Sequence, residues 1–343
     1  MLKSSPIILL LLLLISSCKE ERITPFSVIE VYIKNHELLD SLIIYDKEKS
    51  WEIKSCLRFN ESHRVLDTLN ILENKRYQIY SFMDGNQGEL GELIISPNSK
   101  ITLSFNENKP IESINYSGSF ELSNNFLAYS MKYQNQLSEM VRNGIEQTDL
   151  EALIQEKGIL INEKGTSLNI SDSLNAYVKE KFDEFSDILK QKNTKYLYKA
   201  SLVNSLGNDF SFKDINNENI SLTAFRGKYV YIDVWATWCK PCKVEYVFLK
   251  ELEQHFSDND EFQIISISTD REYDKWEKYV SSKSLKGIQL YSGSKTDFVK
   301  FYDIGALPRF IFLDKEGRII SPDEIRPSNP ETLKKIESTI SKK

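Results

Sequence analysis

YVYIDVWATWCKPC, residues 229–242, carries more structural information than any other stretch of this 343-residue chain. Tyr229 to Trp235 is a short apolar run of strand length, with apolar residues at both alternating positions, as in a strand covered on both faces. Asp233 interrupts it. A carboxylate inside such a strand is an anomaly, and burial would raise its pKa toward neutrality, which suits a base. Trp238-Cys239-Lys240-Pro241-Cys242 follows. Two residues between cysteines, at the entrance to a helix, bring the sulfurs close enough for a small disulfide ring. Cys239 would sit at the helix N-terminus, where free N–H groups and the macrodipole stabilise a thiolate. Pro241 fits the first turn, giving up only an N–H that would be unpaired there. Cys242, one turn deeper, is expected to be shielded. This asymmetry assigns Cys239 as nucleophile and Cys242 as resolving thiol.

Outward from this segment, strand and helix patterns alternate. Phe210 to Ile215 and Asn219 to Leu222 flank an Asn-rich turn, and a helix is predicted from about Pro241 to Phe256. Phe262 to Ser268 reads as strand, Tyr273 to Ser282 as helix, Ile288 to Tyr291 as strand and Thr296 to Tyr302 as helix. Pro308 opens the strand Arg309 to Leu313. A turn at Lys315-Glu316-Gly317-Arg318 leads into Ile319-Ile320, and Pro330 starts a last helix. Alternation of this kind predicts a layered α/β domain with a central sheet.

These residues resemble the active-site segment of the thioredoxin superfamily. The preceding FSFKDINNENISLTAFRGK and following KVEYVFLKEL place the likeness in the TlpA/ResA-like periplasmic branch, from Phe210 to about Ser341. The resemblance implies an α/β thioredoxin fold and thiol–disulfide oxidoreductase activity. Asp233 matches the buried Asp that deprotonates the second thiol. Glu245 matches a Glu that tunes thiol pKa values and substrate contacts in ResA-like proteins, with a surface Glu as the competing reading. Val247 stands where the family often has Pro. Pro308, in Gly305-Ala306-Leu307-Pro308, matches the cis-proline facing the disulfide. Leu307 would then offer backbone groups to an extended substrate segment, with Trp238 beside the dithiol also assigned to substrate contact. Arg309 stands where a smaller residue is commoner, which implies a different substrate shape. No cofactor beyond the Cys239–Cys242 disulfide is expected.

From about Phe26 to Tyr116 the pattern has period two, as in Ile53-Ser55-Leu57-Phe59 and Ile101-Leu103-Phe105. Turns at Asp84-Gly85-Asn86 and Ser96-Pro97-Asn98 complete it. Seven or so short strands in a sandwich or open barrel are predicted. Cys56 falls opposite the apolar positions of its strand and is read as a small half-buried residue. Past Ser119 the period becomes helical. Phe126, Tyr133, Leu137, Met140 and Val141 form one apolar stripe; Leu174, Val178, Phe182, Phe185 and Leu189 form another, with a helix over Asp149 to Glu163 between them. Asn193-Thr194 and Gly207-Asn208 bracket the next boundary. The expected layout is a signal peptide over 1–17, a β-rich domain over 18–118, a helical connector over 119–200 and the thioredoxin-like domain over 201–343.

The chain opens with Lys3, an apolar run from Ile7 to Ile15, and Ser16-Ser17-Cys18. This describes a secretory signal, since spanning a bilayer needs ~20 apolar residues. Ile15-Ser16-Ser17-Cys18 resembles a bacterial lipobox, which implies lipidation of Cys18 and a protein anchored to a bacterial membrane facing the periplasm. Lys19-Glu20-Glu21 lacks an Asp retention signal, which favours the outer membrane. The layout of lipobox, β domain, helices and thioredoxin module resembles the large lipoprotein thioredoxins of some Gram-negative bacteria.

A net charge of −6 and no basic stripe argue against a nucleic-acid partner. A zinc site would need two further ligands, and His36, His63 and His255 show no ligand spacing. Ile232 and Ala236 occupy the Pro and Thr places of the peroxiredoxin pattern before Cys239. The expected function is reduction of disulfides in extracytoplasmic proteins, with apocytochrome c as one substrate, using electrons from a membrane donor of the DsbD/CcdA type. The alternatives are a disulfide oxidase or isomerase, and a ligand- or protein-binding envelope lipoprotein with an accessory thioredoxin module.

Overall fold

The computed structural model describes residues 26–35, 37–59 and 63–341. Cys18 and the expected signal peptide lie outside them. The chain divides into two compact units, one comprising residues up to Leu137 with Gln155–Phe185, the other Ser138–Ile154 with residues from Ser186 onward.

The first unit holds eight strands among the described residues: β1 (Phe26–Lys34), β2 (Leu39–Asp46), β3 (Glu52–Arg58), β4 (Arg64–Asn70), β5 (Lys75–Met83), β6 (Asn86–Ile95), β7 (Lys100–Asn106) and β8 (Asn115–Gly118). They form two four-stranded sheets, in the orders β4-β1-β7-β8 and β3-β2-β5-β6. All pairs are antiparallel except β1 with β7. Val31 and Leu103 of the first sheet share one core with Ile44, Ile79 and Leu93 of the second, so the expected sandwich or barrel is a sandwich. Alternation sets the faces: Leu42 and Ile44 point into this core, whereas Ile43 and Tyr45 point outward. Cys56 also points outward and is exposed, not half-buried, because Ser55 and Leu57 take the inward positions of β3.

A one-turn helix α1 (Pro110–Ser113) precedes three long helices, α2 (Glu121–Arg142), α3 (Gln147–Ser167) and α4 (Asp172–Leu202). Their residues are divided between the two units. Phe126, Leu137 and Val141 are buried as expected, but Met140 is 37% exposed, having fallen off the edge of the α2 stripe. The end of α4 lies between Asn193-Thr194 and Gly207-Asn208, the two pairs that bracket the expected boundary. The helix continues to Leu202, and Asn193 is fully buried, its side-chain amide donating to Ile145 O and Gln147 Oε1 at 3.2 and 3.0 Å. A buried Asn whose side-chain amide has acceptors within reach is held in a helix rather than breaking it.

The second unit is built on a seven-stranded sheet. Its elements are β9 (Ser211–Asp214), β10 (Asn219–Ser221), β11 (Tyr229–Trp235), α5 (Lys240–His255), β12 (Phe262–Ser268), α6 (Tyr273–Lys283), β13 (Ile288–Tyr291), α7 (Asp297–Phe301), β14 (Arg309–Leu313), β15 (Ile319–Ser321) and α8 (Pro330–Ile340). The strand order is β10-β9-β13-β12-β11-β14-β15. Central β11 pairs in parallel with β12 and antiparallel with β14. Val230, Ile232 and Val234 enter one core with Ile265 and Ile311, while Tyr231 enters another with Leu249 and Leu252 of α5. Two covered faces explain why this strand reads as a continuous apolar run. Asp233 lies two residues beyond Tyr231 and so shares the face that α5 covers.

Candidate active site

Cys239 is the N-cap of α5, and its Sγ accepts a hydrogen bond from the Cys242 backbone N–H at 3.2 Å. Pro241 occupies the first turn, where no N–H is missed. Cys239 and Cys242 are joined as a disulfide, with Cα atoms 5.4 Å apart. Both cysteines are buried, at 3% and 6% exposure, so the expected difference in shielding is absent from the oxidised state. Both pack with Trp235, Ala236, Trp276 and Val280, with Leu307 against the same cluster. What separates the two sulfurs is their polar surroundings. Cys239 has a helix-terminal N–H directed at it, which favours its thiolate. Cys242 lines a cavity of about 210 Å³ together with Asp233, Lys243, Tyr246, Ser266 and Lys283.

Asp233 is 8% exposed. Burial pushes its carboxyl up to about 7, against a lowering by the hydroxyl of Ser266, which donates to Oδ2 at 3.3 Å; the charge of Glu245 adds to the rise. Glu245 is not a surface residue. It is 6% exposed, accepts from the Ser328 N–H at 3.0 Å and hydroxyl at 2.8 Å, and has the Arg326 guanidinium 3.9 Å away. Val247, in the place where Pro is commoner, is 56% exposed.

The Leu307–Pro308 peptide is cis and leads directly into β14, the antiparallel neighbour of β11. Trp238 stands out at 67% exposure beside the dithiol. Arg309 does not present its charge to a substrate. It is buried, with Nε 3.1 Å from Asp323 Oδ1, and Asp323 also holds Lys199 at 2.7 Å.

Two polar residues of the site were not anticipated. Ser266 sits opposite Asp233 across β12 and β11, and a second polar residue in an apolar strand was its only sequence signal. Asp270 accepts from the Thr237 N–H at 2.9 Å, the Thr237 hydroxyl at 2.7 Å and the Ser268 hydroxyl at 2.7 Å. It thereby fixes the turn that delivers Trp238 and Cys239 to α5. Nothing in the local sequence marks this role, because Thr237, the partner in the turn, lies 33 residues away.

A family model described as Thioredoxin-like matches residues 227–319. Among curated relatives, the thiol-disulfide oxidoreductase ResA of Bacillus thuringiensis subsp. konkukian is 29% identical over 132 residues, 37% of this chain and 75% of that one. ResA of Bacillus subtilis is 23% identical over 112 residues, covering 33% of this chain and 62% of that one. Among solved structures, a Bacteroides vulgatus protein studied in solution is 45% identical, covering 38% of this chain and 86% of its own, with a TM-score of 0.37. A thiol-disulfide oxidoreductase from Bacteroides fragilis is 27% identical, covering 40% of this chain and 99% of its own, with a TM-score of 0.35.

Proposed function

From the premise that the C-terminal domain belongs to the thioredoxin-like family and that the protein is a TlpA/ResA-like thiol–disulfide oxidoreductase, we propose that its dithiol reduces disulfides of proteins in the bacterial cell envelope. The observation that carries the residue roles is the shared cavity of Cys242 and Asp233, with a carboxyl that titrates near neutrality.

In the reducing direction the Cys239 thiolate attacks one sulfur of a substrate disulfide. A mixed disulfide forms, and the first substrate sulfur leaves as a thiolate. Asp233 takes the Cys242 proton, and the new thiolate attacks Cys239 Sγ. The second substrate thiolate departs, and the enzyme is left as the Cys239–Cys242 disulfide. A carboxyl poised near 7 is ionised often enough to accept the proton and basic enough to use it. Leu307 and Pro308 supply an extended edge for the substrate backbone, and Trp238 an apolar contact beside the sulfur under attack. Glu245 acts through Asp233, by its charge. No cofactor is required beyond the disulfide, which a membrane donor of the DsbD/CcdA type would return to the dithiol.

The periplasmic setting, with apocytochrome c as one substrate, rests on the ResA likeness and on the lipobox-like Ile15-Ser16-Ser17-Cys18. Labelling with a fatty acid is expected to disappear in Cys18→Ala; labelling that persists would remove the anchor. The reduction potential of the dithiol tests the direction. A value near −270 mV, the thioredoxin range, supports a reductant, whereas one near −120 mV would make the protein an oxidant.

A further inference from the structure

A second cavity lies within the first unit, far in sequence from the dithiol. It has a volume of about 180 Å³, between the outward face of β5 and β6 and the helices α2 and α4. Gln78 is 5% exposed and lines it. Its Nε2 donates to Glu92 Oε1 at 2.8 Å, which leaves Oε1 buried with no protein donor. Rotating the amide would aim the carbonyl at the Glu92 carboxylate, so the orientation is fixed by charge. Glu92 is itself held from the other side, where the Tyr177 hydroxyl lies 2.8 Å from both its oxygens. Glu89, Ser130 and Gln134 add further hydrogen-bonding groups to the wall.

Sheet register extends this wall into an aromatic surface. Tyr45 pairs with Gln78, which pairs with Glu92, and in the next row Ile43 pairs with Tyr80, which pairs with Glu89. Residues opposite one another share a face, so Tyr45 and Tyr80 adjoin the buried amide. Trp51 completes the group, with ring centroids 6.1 Å from Tyr45 and 6.2 Å from Tyr80. Lys47, which lines the cavity, has its ammonium 5.8 Å from the Trp51 ring centroid. Trp51 is 46% exposed, and it and Ser50 both take left-handed backbone conformations, with φ of 64° and 54°. Both residues lie in the connection between the antiparallel strands β2 and β3, where successive left-handed residues turn the chain back and leave the Trp51 ring at the surface.

We propose that this cavity and its aromatic rim bind a neutral, hydroxyl-rich small molecule, namely a saccharide unit. The polar wall offers acceptors to hydroxyl donors, above all Gln78 Oε1, and the exposed Trp51 ring offers a face to the apolar side of a sugar ring. Charge selects against ions. The cavity is lined by two cations, Lys47 and Lys181, and two carboxylates, Glu89 and Glu92, and Lys181 is further matched by Glu184 at 2.7 Å. A cationic ligand would meet Lys47 already at the aromatic ring, and an anion would meet the two carboxylates.

Isothermal titration calorimetry on the full chain tests this with glucose, galactose, mannose, N-acetylglucosamine, cellobiose, lactose and chitobiose, and with choline as the cationic competitor. Saturable binding of at least one sugar is expected, weakened about tenfold or more by Gln78→Leu and by Trp51→Gly. Gly accepts the left-handed backbone at position 51, so Trp51→Gly removes the ring and its contacts with Tyr45 and Tyr80 while keeping a cooperative melting transition. Both variants should keep the parent's disulfide-reductase rate, which separates this site from the dithiol. No saturable binding by any of the sugars, binding of choline instead, or sugar binding unchanged in both variants would each overturn the proposal.

Discussion

Asp233 has one side-chain hydrogen bond, from Ser266, and sits in the middle of a buried strand. Its elevated carboxyl has a consequence for stability whose sign is fixed. Between about pH 4 and 7 the folded protein holds a proton that the unfolded chain has released, so stability falls as pH rises through this window. Asp233→Asn should therefore stabilise the oxidised protein at pH 8, by at most about 4 kcal/mol, and leave it unchanged near pH 3. Urea unfolding at the two pH values checks this. The same substitution should slow resolution of a mixed disulfide about 100-fold, measured by rapid quench. Glu245→Gln keeps an acceptor for Ser328 but removes the charge that raises Asp233. The pH profile of resolution should then move to lower pH, whereas a purely structural Glu245 would leave the profile in place. Cys242→Ser should accumulate the mixed disulfide on Cys239, visible as a substrate adduct in intact-mass measurements.

The turn between β11 and α5 behaves as one element with the end of β12, because Asp270 gathers Thr237 and Ser268 onto a single buried carboxylate. Asp270→Ala leaves these donors without an acceptor and should cost about 2–4 kcal/mol, measured by chemical unfolding of the oxidised protein. Elements bounded by clear punctuation were legible in the sequence: β11, β12, β13 and β14 begin and end where short apolar runs meet turn residues. The limits of local reading show at Asn193 and Cys56. Asn193 has a low intrinsic helix preference, yet acceptors at Ile145 and Gln147 keep it within α4. Cys56 suggests partial burial by its residue type, yet strand phase points it outward.

Across the whole molecule the helical region is not a separable linker. The last turns of α4 belong to the redox unit, where the Tyr198 hydroxyl donates to Phe301 O at 2.7 Å and the Lys199 ammonium lies 2.7 Å from Asp323 Oδ2. A fragment beginning at Ser186 should therefore be more stable than one beginning at Ser201 by about 1–2 kcal/mol, with the difference read from their urea midpoints. Both fragments should retain disulfide-reductase activity, since the dithiol and Asp233 lie in β11, α5 and their connecting turn.

The sequence by itself determined the alternation of strands and helices, the placing of Cys239 at a helix N-terminus and the anomaly of Asp233. All three depend on neighbours a few residues away. Only the tertiary structure decided that Glu245 is buried against Ser328, that Arg309 is spent on Asp323, and that Ser266 and Asp270 serve the site. Each of those roles is set by a partner brought near by strand pairing or packing. Burial and hydrogen bonding across such distances leave no local pattern to read.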